Sequence, residues 1–148
     1  MIINQHPMLA ALNDAPFTFH LIGSRYVGKF SETSDYDFLG VAKDYTEWKA
    51  LSKWLADHEF AVYGAGGYGP DRRLYGTNVW TWKGNETYPA IDVLPVSFDE
   101  ATLRLQWFAA MSTIGDKAGL IAKALKTEEA WPLFWDVLEK MLQKDRTY

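Results

Sequence analysis

Two aspartates one residue apart, Asp35 and Asp37, lead directly into apolar Phe38 and Leu39. Side chains two positions apart in a strand point to the same face, so the two carboxylates would project together from the mouth of an apolar strand. Like charges so placed repel unless they are protonated, solvated or neutralised by a cation. Hard cations such as Mg²⁺ favour carboxylate oxygens and keep part of their water shell for substrate phosphates. The plain alternative is a turn, because Ser, Thr and Asp cluster in turns and fill the stretch just before Tyr36. A third acid, Asp92, sits inside the apolar run Ala90-Ile91-Asp92-Val93-Leu94. A carboxylate there is costly unless something charged meets it. An ion pair with Arg or Lys, or the exposed face of an edge strand, would serve as well as a cation.

Gly23-Ser24 closes the apolar run Phe17 to Ile22. A chain that leaves a strand through glycine can aim backbone N–H groups and the serine hydroxyl at phosphate oxygens. An ordinary strand-ending turn fits the same two residues. Arg25 and Lys29 lie close to this turn and could pair with phosphate charge, or simply face solvent. Arg72 and Arg73 follow the glycine-rich stretch Gly64 to Gly69 and could reach a polyanion, although a solvated loop pair describes them better. Tyr36, between the two acids, should point the other way into packing. Trp80 and Trp82 share a strand face, where core packing outweighs base stacking as an expectation. His20 reads as a strand histidine with a satisfied ring.

The elements that would position these residues follow from pattern. Phe17 to Ile22 and Tyr36 to Ala42 read as strands, the second covered on both faces. Asp44-Tyr-Thr-Glu47 has capping-box form and opens a helix over residues 45–58, with Trp48, Leu51, Trp54 and Leu55 on one face. Phe60 to Tyr63 is a short strand. Asn78 to Lys83 and Tyr88 to Val96 are strands joined by a hairpin loop at Gly84 to Thr87. Ser97-Phe-Asp-Glu100 is a second capping box, before a long helical stretch. A final helix is expected over residues 132–144, where Trp131, Phe134, Trp135, Leu138, Met141 and Leu142 form a stripe, with Pro132 in its first turn. Helices and strands so mixed predict an α+β fold (mixed α/β), a twisted mixed sheet with helices packed on it and a C-terminal helical extension. The whole of residues 1–148 reads as one domain, with its core in 13–97 and the C-terminal helices in 98–148.

Composition narrows the function classes. Apolar residues make up 48% of the chain and aromatics 16%, which excludes a disordered chain. The net charge of −4 argues against general DNA binding driven by phosphate attraction, but leaves room for a local basic pocket. With no cysteine, disulfides, thiolate metal sites and thiol catalysis are excluded. The N-terminus lacks the charge-then-apolar form of a signal peptide, and no apolar stretch approaches the roughly 20 residues that span a bilayer. A cytoplasmic protein with no membrane association is the expectation.

Taken together, Leu21-Ile22-Gly23-Ser24, then Asp35-Tyr36-Asp37-Phe38, then Ile91-Asp92-Val93 resemble the DNA polymerase beta-like nucleotidyltransferase superfamily. The run from Gly23 to Phe38, G-S-R-Y-V-G-K-F-S-E-T-S-D-Y-D-F, also looks like that of small bacterial and phage predicted nucleotidyltransferases. The resemblance spans roughly residues 17–96. Minimal antitoxin-type relatives often carry a small residue and then Arg before the glycine matching Gly28; Tyr26 and Val27 stand here instead.

The resemblance implies transfer of a nucleoside monophosphate from a nucleoside triphosphate (ATP or another) to a hydroxyl, with release of pyrophosphate. It implies that Asp35, Asp37 and Asp92 are the catalytic acids and ligands of two Mg²⁺ ions, with Mn²⁺ as a substitute. Gly23, Ser24, Arg25 and Lys29 would bind the nucleotide phosphates. The acceptor stays open among a protein, an RNA end and a small molecule. Two other functions also stay open: an antitoxin-like partner that neutralises a toxin by modification or binding, and a catalytically silent nucleotide-binding interaction module. The apolar stripe of the C-terminal helices would suit a homodimer or a protein partner.

Overall fold

A computed structural model describes residues 6–28, 30–63 and 79–114, together with Ile121 and Leu133. At its centre is a five-stranded mixed sheet in the order β1-β2-β5-β4-β3. The strands are β1 (Thr18–Ile22), β2 (Tyr36–Val41), β3 (Ala61–Tyr63), β4 (Val79–Trp82) and β5 (Ile91–Val96). β2 runs parallel to β5 and antiparallel to β1, while β4 runs antiparallel to both β5 and β3. The expected α+β class and mixed sheet are what the chain forms.

Strand alternation sorts the side chains of this sheet cleanly. One face carries Phe19, Tyr36, Phe38, Trp80, Trp82, Ile91 and Val93, and α1 (Pro7–Asp14) and α3 (Tyr45–Asp57) pack on it through Leu12, Leu51 and Leu55. Leu51 and Leu55 are wholly buried, and burial of each stabilises the fold by about 1.5–3 kcal/mol. Trp80 and Trp82 therefore serve the core, and Tyr36 points into it, as their positions suggest. Gly40 lets α3 close on the sheet: a Cβ there would stand 3.0 Å from Val93 Cγ1 and 3.1 Å from Leu51 Cδ2.

The opposite face carries Ile22, Leu39, Val41, Leu94 and Val96, covered by Ala101, Leu105 and Phe108 of α4 (Phe98–Ile114). The short helix α2 (Gly23–Val27) lies beside α4, where Tyr26 meets the edge of Phe108 at 6.5 Å between ring centroids. α4 also buries the ion pair Arg104–Glu100, with Nε donating to Oε1 at 2.6 Å.

Capping explains several boundaries. Asp44 Oδ1 accepts from Glu47 N at 2.8 Å and starts α3. Ser97 Oγ accepts from Glu100 N at 3.2 Å and starts α4. α1 is capped by a histidine: His6 Nδ1 accepts from Met8 N and Leu9 N, and Pro7 supplies the first helical residue. Gly28, at φ 86°, ends α2 in the left-handed conformation. Among the described residues no helix is long and apolar enough to cross a membrane. The expected 132–144 helix, apart from Leu133, lies outside the described residues, as do Lys29, Arg72 and Arg73.

Candidate functional site

Four residues from four different segments line up in one row across the sheet. Ile22, the last residue of β1, pairs with Asp37 on β2. Asp37 pairs with Asp92 on β5, and Asp92 pairs with Thr81 on β4. All four belong to the face that carries α2 and α4. Asp37 and Asp92 are half-buried near the starts of two parallel strands, so their carboxylates emerge side by side at one end of the sheet.

Gly23 brings the turn against this pair. It has φ +73°, a conformation that L side chains rarely adopt, and a Cβ on it would stand 2.5 Å from Asp37 Oδ2. The sequence reading places a turn here; the structure makes it the first turn of α2, with Ser24 as its second residue. Glycine is thus required twice over, for backbone conformation and for close approach to a carboxylate.

Asp35 stands exposed just before β2, on the same alternation as Asp37. Partial burial raises its carboxyl above the ordinary range, the negative charge of Asp92 adds to the rise, and Arg25 opposes it. Asp92, 57 positions further along the sequence, is thus near enough in the folded chain for its charge to act on Asp35.

Thr81 was not singled out from the sequence. Its hydroxyl donates to Asp92 Oδ1 at 2.6 Å and so restrains the carboxylate's orientation. A same-parity threonine in the neighbouring hairpin strand was the available signal, but using it requires the hairpin register.

Arg25, beside the turn, is held by backbone carbonyls and aromatic rings. Its Nε and Nη2 both donate to Ser34 O, at 3.1 and 2.8 Å, and Nη2 also lies within reach of Ser31 O and Glu32 O. The guanidinium is stacked 3.8 Å from the centre of the Tyr36 ring and 4.8 Å from that of Phe30.

Oxygen-only donors of this kind suit Mg²⁺ or Mn²⁺ rather than a softer metal. Among the described residues, however, no three acidic or imidazole side chains converge closely enough to form a ready-made cation cage. The paired Asp37 and Asp92, with Asp35 at the rim, are the part of such a site that the backbone sets.

No protein-family model matches the sequence, and no curated protein does either. Among solved structures, the chain is similar to the conserved protein GrpB from Enterococcus faecalis, with 16% identity and a TM-score of 0.46 over 97% of this chain and 91% of that one. A likeness that faint identifies no activity.

Proposed function

We propose that this chain is a metal-dependent nucleotidyltransferase, moving a nucleoside monophosphate from a nucleoside triphosphate to a hydroxyl acceptor. The observation that carries the reading is the direct pairing of Asp37 with Asp92 on adjacent parallel strands, with the Gly23 turn pressed against Asp37. Carboxylates placed side by side in this way are the oxygen donors that a divalent cation would bridge.

In this reading Asp35, Asp37 and Asp92 would hold two Mg²⁺ ions, which would supply neutralisation of triphosphate charge and a lowered pKa for the acceptor hydroxyl. Asp92 takes the hydroxyl proton on Oδ2 while Thr81 holds Oδ1. The Ser24 hydroxyl and the amides that follow Gly23 hold the terminal phosphates. The acceptor oxygen bonds to the α-phosphorus as its bond to the pyrophosphate oxygen breaks, and pyrophosphate leaves. Such transfer needs positioning and charge neutralisation more than covalent help from the protein.

Incubation with each of the four labelled nucleoside triphosphates and Mg²⁺ or Mn²⁺ tests this. Divalent-dependent pyrophosphate release or label transfer, abolished in Asp92→Asn, is the expected result. No turnover with any nucleotide, together with no divalent-dependent nucleotide binding, would overturn it. Divalent-dependent nucleotide binding without turnover would select a catalytically silent nucleotide-binding module instead.

A further inference from the structure

Arg25 follows the Gly23-Ser24 turn in sequence, and charge alone would assign it to phosphate. Its geometry assigns it elsewhere. A guanidinium presents five N–H donors in a fixed planar fork. Here the fork grips Ser34 O through two nitrogens and reaches the carbonyls of Ser31 and Glu32, while its flat faces meet Tyr36 and Phe30. Ser34 immediately precedes Asp35, and Tyr36 immediately follows it. The backbone on one side of the acid and the ring on the other are therefore both held by a residue rooted in α2.

The rest of the 31–34 segment has mainly local support. Ser34 N donates to Ser31 O at 3.2 Å and Ser31 N to Ser34 Oγ at 2.9 Å, closing a small loop on itself. The next backbone tie to the sheet among the described residues is Tyr36 N donating to Ala90 O at 2.9 Å. Among the described residues, Arg25 joins this loop to the helix that begins at the phosphate turn.

We infer that Arg25 is a positioning residue, which locks Asp35 to the Gly23-Ser24 turn so that the metal-binding and phosphate-binding arms of the site move as one body. This role rests on the nucleotidyl-transfer reading for its purpose, but not for its structure. The same contacts explain why lysine would be a poor replacement: an ammonium is a point charge and cannot hold one carbonyl with two nitrogens.

Arg25→Lys and Arg25→Met, compared with the parent chain, test the role in two independent arms. In the first, hydrogen exchange is followed in peptides covering residues 30–36, with far-UV circular dichroism and thermal melting to establish that each variant is folded. Both substitutions should speed exchange there by about tenfold or more, the scale on which a lost local restraint opens a segment, and leave β5 unchanged. Unchanged exchange in folded variants would overturn the inference, whatever the chain's activity.

In the second arm, steady-state kinetics with the preferred nucleotide and Mn²⁺ separate the two roles for Arg25. A positioning residue lowers kcat and weakens Mn²⁺ binding with little change in KM for the nucleotide, and Lys does not rescue it. A phosphate ligand raises KM, and Lys restores most of the loss; that pattern would overturn the inference. A parent chain inactive with every nucleotide, but with exchange responding as expected, would sink the nucleotidyl-transfer reading and leave the clamp standing.

Discussion

Asp37 and Asp92 are direct cross-strand partners on two parallel strands, with both carboxylates on the face shared by α2 and α4. Like charges placed opposite one another in a sheet are destabilising. Asp92→Asn removes one charge and keeps an Oδ1 that can accept from Thr81. In EDTA this variant should therefore melt about 1–3 °C higher than the parent, as expected for a gain of under 1 kcal/mol in a chain of this size. Millimolar Mn²⁺ should raise the melting temperature of the parent and leave Asp92→Asn unmoved. Differential scanning fluorimetry with and without the ion checks both.

Gly23→Ala should be costly in two ways. The left-handed backbone strains any side chain, and the new Cβ would stand 2.5 Å from Asp37 Oδ2, so the carboxylate must move. A loss of about 1–3 kcal/mol is expected from the urea midpoint. Because the displaced group is a site carboxylate, any nucleotidyl transfer should fall further than stability alone explains.

Thr81→Val keeps shape and removes the hydroxyl that donates to Asp92. Hydrogen bonds to charged groups are worth about 1.5–3 kcal/mol, and loss of an outer-shell partner typically costs 10–100-fold in metal affinity or activity. Mn²⁺ titration should show a weakening of that order, and Thr81→Ser should recover most of it. Equal Mn²⁺ affinity in Thr81→Val and the parent would show that the hydroxyl does not orient the acid.

His6 makes stability depend on pH. Its ring is buried, Nδ1 accepts from two amides of α1, and the remaining proton on Nε2 is donated to Pro89 O at 3.2 Å. Burial pushes its pKa below the ordinary 6.5; the hydrogen bond to Pro89 works against that shift and Arg25 adds to it. The unfolded chain therefore takes up a proton at a higher pH than the folded one. The stability that His6 supplies is complete above about pH 6.5 and is lost as pH falls from there toward the lowered folded value. Urea midpoints at pH 7.5, 6.5 and 5.5 should fall in that order. The fall should shrink in His6→Asn, which preserves a side-chain cap without the titration.

Much of the scaffold was legible because alternation and capping act over short spans. β1, β2 and α3 appear close to their expected bounds, since Asp44-Tyr-Thr-Glu47 fixes the start of the helix and apolar runs mark the strands. α1 was not foreseen, because its cap is a histidine, a residue that rarely plays that part. α2 is shorter than helical periodicity can reveal, so it read as a turn.

The hairpin between β4 and β5 shows how register escapes local reading. A four-residue loop at Gly84 to Thr87 would set Thr81 opposite Ala90. Instead Asn85 Oδ1 accepts from Thr87 N and Tyr88 N, the loop extends further, β5 starts at Ile91, and Thr81 faces Asp92. The shift is two residues, so facing was preserved and only the partner was missed. The contacts of Arg25 escaped for a related reason: its charge is visible in sequence, whereas three carbonyls brought within its reach are a property of the folded loop.

The single row that runs through Ile22, Asp37, Asp92 and Thr81 also constrains how this chain can diverge. Loops between strands can gain or lose residues at modest cost. One residue inserted within β2 between Asp37 and Leu39 would swap odd for even, sending the acid beneath α3 and an aromatic ring out under α4. Descendants of this sequence should therefore vary in length between their strands while conserving the odd–even frame within them.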